Sequence, residues 1–245
     1  MIEAQALTKI FRDRKRGDVH AVEHVSFVCR PGQIYGLLGA NGAGKTTALR
    51  LLATILQPTD GTARVAGFDI LEQPEKVRAH IGFLSTATAL YGRLTARETV
   101  EYFGRLNGVD EPTLKKRTDE LFALLELNEY ADMRCDKLST GNKQKTSIAR
   151  TLVHDPPVMI FDEPTLGLDV MTARTIVGFI RDCRSRGKTV IFSTHVMSEA
   201  EKLCDTIGII HNGKLLREGT LAELRQQTGL NDLEDVFVQA VEAAG

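Results

Sequence analysis

Residues 39–46 read Gly39-Ala40-Asn41-Gly42-Ala43-Gly44-Lys45-Thr46, a match to the Walker A pattern G-x-x-x-x-G-K-[ST]. The glycines let the backbone curl so that successive amides point at one anion, Lys45 adds a full positive charge, and the Thr46 hydroxyl can ligate Mg²⁺. This is chemistry for gripping the phosphates of a nucleotide. The glycine spacing is not G-x-G-x-x-G, which disfavours a dinucleotide. Far downstream, Asp162 and Glu163 close the apolar run 158–161. The first carboxylate suits a Mg²⁺ shell and the second is placed to polarise an attacking water. His195 closes another apolar run, residues 190–194, where it could hydrogen-bond a γ-phosphate or that water.

These residues need elements to hold them. Residues 33–38 predict a buried strand that ends at the glycine loop, and 46–55 have helical spacing. Residues 21–29 alternate as a strand, the cluster 58–61 is a turn, and 62–66 a short strand. Strands at 158–161, 189–193 and 206–211 alternate with helices at 170–186 and 197–204, which indicates an α/β fold with a mostly parallel sheet. Residues 87–153 differ in texture. Thr95-Ala96-Arg97-Glu98 is a capping box, Pro112 suits a first helical turn, and a third helix spans 139–153, so this stretch reads as a helical insertion. The tail from 220 to 245 is amphipathic and helical in pieces.

Composition narrows the classes. Charged residues make up 26% of the 245 and almost cancel, with a formal net charge of -1, so no chain-wide basic field for nucleic acid exists. The dense basic run Arg12, Arg14, Lys15, Arg16 is expected to be a solvated loop. Nothing resembles a secretory signal, and no run approaches the roughly 18 apolar residues of a membrane span. Work at a membrane would therefore go through a partner. Cys29, Cys135, Cys183 and Cys204 are too scattered for a zinc site or disulfide framework, which suits a reducing cytoplasm.

With these motifs in this order, the chain resembles the ABC ATPase family, the nucleotide-binding subunits of ATP-binding-cassette transporters, from about residue 3 to 225. The resemblance implies one ATP-binding domain over 1–245, with a RecA-like P-loop NTPase core, an antiparallel β subdomain and the helical insertion. It implies Phe11 stacked on adenine, residues 39–47 including Thr47 around the phosphates, and Mg²⁺ on Thr46 and Asp162. Leu138-Ser139-Thr140-Gly141-Asn142 is similar to the signature LSGGQ with two substitutions. In the family, the matching turn, here Ser139, Thr140 and Gly141, grips the γ-phosphate held by a second subunit, so two cassettes close head to tail. Residues 164–169, ending in Asp169, look like the D-loop, and Ser193-Thr194-His195 like the H-loop.

One departure stands out. Ile81-Gly82-Phe83-Leu84-Ser85-Thr86 places Thr86 where the family carries the Q-loop glutamine. Residues 90–95 and the signature variant look like the bacterial sodium- and drug-export branch. The resemblance thus implies an ATPase that couples Mg-ATP binding, dimer closure and hydrolysis to export. A separately encoded transmembrane permease would hold it at the cytoplasmic face of the membrane. A regulatory module that hydrolyses little stays open, whereas a soluble family member acting on ribosomes or DNA is disfavoured, because neither a second cassette nor a long coiled-coil insertion is present and no nucleic-acid partner is expected. No NKxD guanine-reading motif appears, which argues against a GTPase.

Overall fold

The computed structural model describes residues 1–13, 17–85 and 89–244. Arg14, Lys15, Arg16 and Thr86 lie outside them. Two long strands open the chain, β1 (Ile2–Asp13) and β2 (Gly17–Cys29), followed by β3 (Ile34–Leu38) and the helix α1 (Lys45–Leu52). Next come β4 (Asp60–Val65), β5 (Phe68–Asp69), α2 (Pro74–Ala79) and β6 (Ile81–Leu84). The helical insertion holds α3 (Ala96–Leu106), α4 (Glu111–Leu124) and α5 (Thr140–Leu152). The chain then runs β7 (Val158–Asp162), α6 (Val170–Ser185), β8 (Thr189–Thr194), α7 (Met197–Leu203), β9 (Thr206–His211) and β10 (Lys214–Gly219). It finishes with α8 (Leu221–Thr228) and α9 (Leu233–Glu242).

The strands form two sheets. Four pair antiparallel in the order β2-β1-β4-β5, and six pair in the order β10-β9-β3-β8-β7-β6. In the larger sheet every pairing is parallel except that of β10 with β9. Strands β3, β7 and β8 are buried along their whole length, as central strands covered on both faces must be. Because β3 lies between β8 and β9, the loop that follows it emerges at the middle of the sheet, beside the ends of β7 and β8. Helix α1 is clasped between the two sheets, and Leu49, Leu51 and Leu52 join Ile2, Val22, Val65 and Ile160 in one core. A second core lies on the opposite face, where Phe161 and Phe192 meet Ile148 and Ala149 of α5 and Ile176 of α6. A third seats the tail helices through Leu224, Leu233 and Val236.

Capping sets the helix starts. Thr95 makes the full capping box with Glu98, and Thr220 makes another with Glu223. Ser139 accepts the Asn142 amide at the start of α5, one residue later than the expected helix start. Two boundaries differ from the sequence-based expectation by three residues or more. Helix α1 stops at Leu52 rather than running to 55, because Thr54 turns left-handed (φ 57°) and the amides of Ile55 and Leu56 both return to the Arg50 carbonyl. Strand β2 begins at Gly17, well before residue 21, as the partner of the end of β1.

The turn at 58–61 ends in a steric constraint. Gly61 has φ 74°, and a Cβ there would sit against the backbone carbonyls of Ala6 and Gln5. Gly61→Ala is therefore expected to lower unfolding stability by roughly 2 kcal/mol or more, from left-handed strain plus the clash, read as a drop in urea midpoint.

Candidate functional site

The glycines of the phosphate loop are required for two different reasons. Gly42 (φ 81°) and Gly44 (φ 107°) take left-handed backbone. Gly39 does not, but a Cβ there would stand 2.5 Å from the Ile210 carbonyl oxygen, so β3 and β9 could not stay paired as they are. The loop is tied down from the side: the Gly213 amide donates to Ala43 O at 2.9 Å, and the Glu23 amide to Gly213 O at 2.8 Å. Gly44 heads α1 without a side-chain cap, and no acidic residue occupies the first turn. The free amides and positive end of that helix face a cavity of ≈ 170 Å³ lined by residues 40–47, Ala21 and Glu163.

Lys45 is almost completely buried. Its Nζ donates to Gly39 O at 2.7 Å and Ala40 O at 3.1 Å, and lies 3.1 Å from Glu163 Oε1. The other oxygen of Glu163 is 3.2 Å from His195 Nδ1. That nitrogen makes no aligned hydrogen bond among the described residues, so the contact is one of proximity rather than a directed bond. The carboxylate of Asp162, 2% exposed, accepts from Thr46 Oγ1 at 3.0 Å and from Ser193 Oγ at 2.7 Å, both on the same oxygen. Ser193 Oγ in turn accepts the Glu163 amide at 3.0 Å. Glu163 itself sits at φ 47°, a left-handed conformation for a residue with a full side chain.

Lys45, Thr46, Asp162, Glu163 and His195, predicted from three separate segments, are thus brought together. The phosphate-loop residues Gly39 through Thr47 sit with them. Other predicted residues stand apart. Ser139, Thr140 and Gly141 start α5 and do not line the cavity; Gly141 packs against Thr172 of α6. Asp169 caps α6, accepting the Met171 and Thr172 amides at 3.0 Å each and the Thr172 hydroxyl at 2.7 Å. The bonds from Thr172 hold its carboxyl below the ordinary pKa. Phe11 is half-exposed on β1 with the Lys9 ammonium 5.3 Å above its ring, outside the cavity lining. The Q-loop position, Thr86, is among the residues not described.

The sequence reading missed what Ser193 does. Ser193 is more than one position of a motif: its hydroxyl is fully buried and bridges both carboxylate residues. The signal was a serine directly after the apolar run 190–192 of a buried strand, where a hydroxyl needs a partner.

The sequence pattern of the family described as ABC transporter matches residues 22–166. The ABC transporter ATP-binding protein NatA of Bacillus subtilis (strain 168) is 40% identical over 239 residues, covering 97% of each chain. The chain belongs to the ABC transporter ATP-binding family. A probable multidrug ABC transporter ATP-binding protein, YbhF of Escherichia coli (strain K12), is 36% identical over 98% of this chain and 42% of its own length. Among solved structures, an ATP binding subunit of an ABC transporter superposes with TM-score 0.88 at 28% identity, covering 98% of this chain and 99% of that one. A dimeric structure of a post-hydrolysis state of the cassette MJ0796, bound to ADP and Pi, superposes with TM-score 0.81 at 27% identity over 90% and 98% of the two chains. This ABC protein is accordingly an ATPase with the P-loop NTPase fold.

Removing the Ser193 hydroxyl would deprive the buried Asp162 carboxylate of a donor. Ser193→Ala is expected to cost about 1–3 kcal/mol of folding stability and to lower ATP turnover more than ATP affinity. Thermal unfolding and steady-state kinetics on the same preparation check both halves.

Proposed function

We propose that residues 39–47 hold the triphosphate of ATP, that Glu163 polarises the attacking water, and that His195 contacts the γ-phosphate or that water. The observation that carries this is the placement of the Lys45 ammonium, within 3.1 Å of Glu163 and at the mouth of the phosphate loop. A γ-phosphate entering the loop competes with Glu163 for the same ammonium, which frees a carboxylate oxygen to accept a proton from water. His195, 3.2 Å from the other Glu163 oxygen, is close enough to orient that carboxylate. Phe11 then stacks on the adenine beyond the cavity.

Thr46 and Asp162 suit Mg²⁺. Both offer hard oxygen donors, 3.0 Å apart, and the Asp162 carboxylate is buried. No group of three or more His, Cys, Asp or Glu among the described residues builds a metal cage, so most of the ligand shell falls to phosphate oxygens and waters, as Mg²⁺ prefers. Bound there, the ion would neutralise charge on the transferring phosphoryl group.

Further readings follow from the remaining predicted residues. Ser139, Thr140 and Gly141 form a second helix N-terminus remote from this chain's own phosphate loop, which supports a head-to-tail pair of cassettes in which each supplies the signature to the other's ATP. Between α3, α5 and β6 a groove of ≈ 300 Å³ is lined by Ile55, Phe83, Phe103 and Arg150, with Tyr91, Tyr102 and Leu106 exposed on the same insertion. That apolar face is the docking surface we assign to a separately encoded transmembrane permease. No helix among the described residues is long and apolar enough to cross a membrane. The whole chain is read as one ATP-binding domain at the cytoplasmic face, coupling hydrolysis to export, with no nucleic-acid partner.

Glu163→Gln keeps the shape of the site and removes its proton acceptor. The expected result is ATP turnover reduced at least a hundredfold, roughly the contribution of a general base, while ATP still binds. Turnover close to that of the parent chain would remove Glu163 from the mechanism.

A further inference from the structure

A cross-link behind the catalytic carboxylate has no part in the reading above. Glu199, half-buried on α7, accepts two threonine hydroxyls at once: Thr165 Oγ1 at 2.6 Å on one oxygen and Thr194 Oγ1 at 2.8 Å on the other. These are the short distances of charge-assisted O–H···O⁻ bonds. The two threonines come from different segments. Thr165 is the second residue after Glu163, in the turn where the Leu166 amide donates to Glu163 O and the Leu168 amide to Thr165 O, each at 3.2 Å. Thr194 is 2% exposed and immediately precedes His195, and its Oγ1 also accepts the Val196 amide at 3.0 Å. A third tie reaches the same turn, from Gln144 Nε2 on α5 to Pro164 O at 2.9 Å.

A glutamate in the first turn of a helix ordinarily serves the helix itself, through its free amides. Glu199 does not. Helix α7 has no side-chain cap, and both carboxylate oxygens are engaged by threonines outside the helix. We propose that Glu199 is a positioning residue for ATP hydrolysis. It fixes the spacing between the 163–169 turn, which carries Glu163 and leads to Asp169, and the strand end that carries His195. Lose the carboxylate and the two segments drift relative to each other, although neither touches Glu199 through its own reacting group.

The inference rests on the proposed roles of Glu163 and His195, and the test separates them. In the purified full chain, Glu199→Ala is expected to lower kcat roughly ten- to a hundredfold, the cost of a small misplacement of catalytic groups, with the ATP dissociation constant changed by less than about twofold. Glu199→Gln keeps one acceptor oxygen and recovers part of the rate. Thr165→Val and Thr194→Val each remove one arm and lower kcat by less, and adding Thr165→Val, whose hydroxyl serves Glu199, to Glu199→Ala brings no further loss. A kcat unchanged in Glu199→Ala, or strictly additive losses, would overturn the proposal. If Glu199→Ala does not fold, unchanged kcat in both valine variants overturns it alone. Full turnover in His195→Ala would instead overturn the role given to His195.

Discussion

A buried ammonium must be answered by acceptors, and the Lys45 head group is answered from three sides. Two are carbonyls of its own loop, Gly39 and Ala40, and the third is Glu163 from the end of β7. The loop curls back over the ammonium through left-handed Gly42 and Gly44, and Glu163 meets it there because β7 lies two strands from β3 with β8 between them. The order of strands, the left-handed glycines and the buried cation are therefore one constraint seen at three scales. Ser193 sits on the intervening strand and fills the gap, tying Asp162 and the Glu163 amide to the same hydroxyl.

The phosphate loop and the carboxylate pair were legible because each is local. Glycine spacing, a lysine and a strand-to-helix context are written in consecutive residues, and so is an apolar strand ending in Asp162-Glu163. The capping boxes at Thr95 and Thr220 could be read for the same reason, and the first was. Helix α2 and strand β10 were passed over. Helix α2 buries only Val77, and β10 has no wholly buried residue except its final glycine, so neither carries a hydrophobic period to read.

The end of α1 failed for a tertiary reason. Residues 46–55 continue a helical pattern without a glycine to stop it, yet the following turn is claimed by β1. The Thr59 amide donates to Thr8 O at 2.8 Å, the Thr59 hydroxyl accepts the Ile10 amide at 3.0 Å, and Lys9 Nζ donates to Gln57 O at 2.8 Å. These bonds pull the chain off the helix axis before its own sequence would. The left-handed backbone of Glu163 was equally invisible, since nothing about Asp-Glu-Pro announces a positive φ; it follows from the two acceptors on Ser193 that hold the Glu163 amide.

Helix α5 spans thirteen residues, about 20 Å at the usual rise. One end begins with the Ser139 cap, and the other carries Arg150, whose guanidinium stands 5.0 Å from the Phe103 ring in the groove. Between them, Ile148 and Ala149 are pressed into the core against the sheet. The burial is not a single point, since every residue from Lys145 to Leu152 is buried. The Ser139 turn and the guanidinium at the groove are thereby carried on one packed rod, so the core that seats the helix sets the position of both.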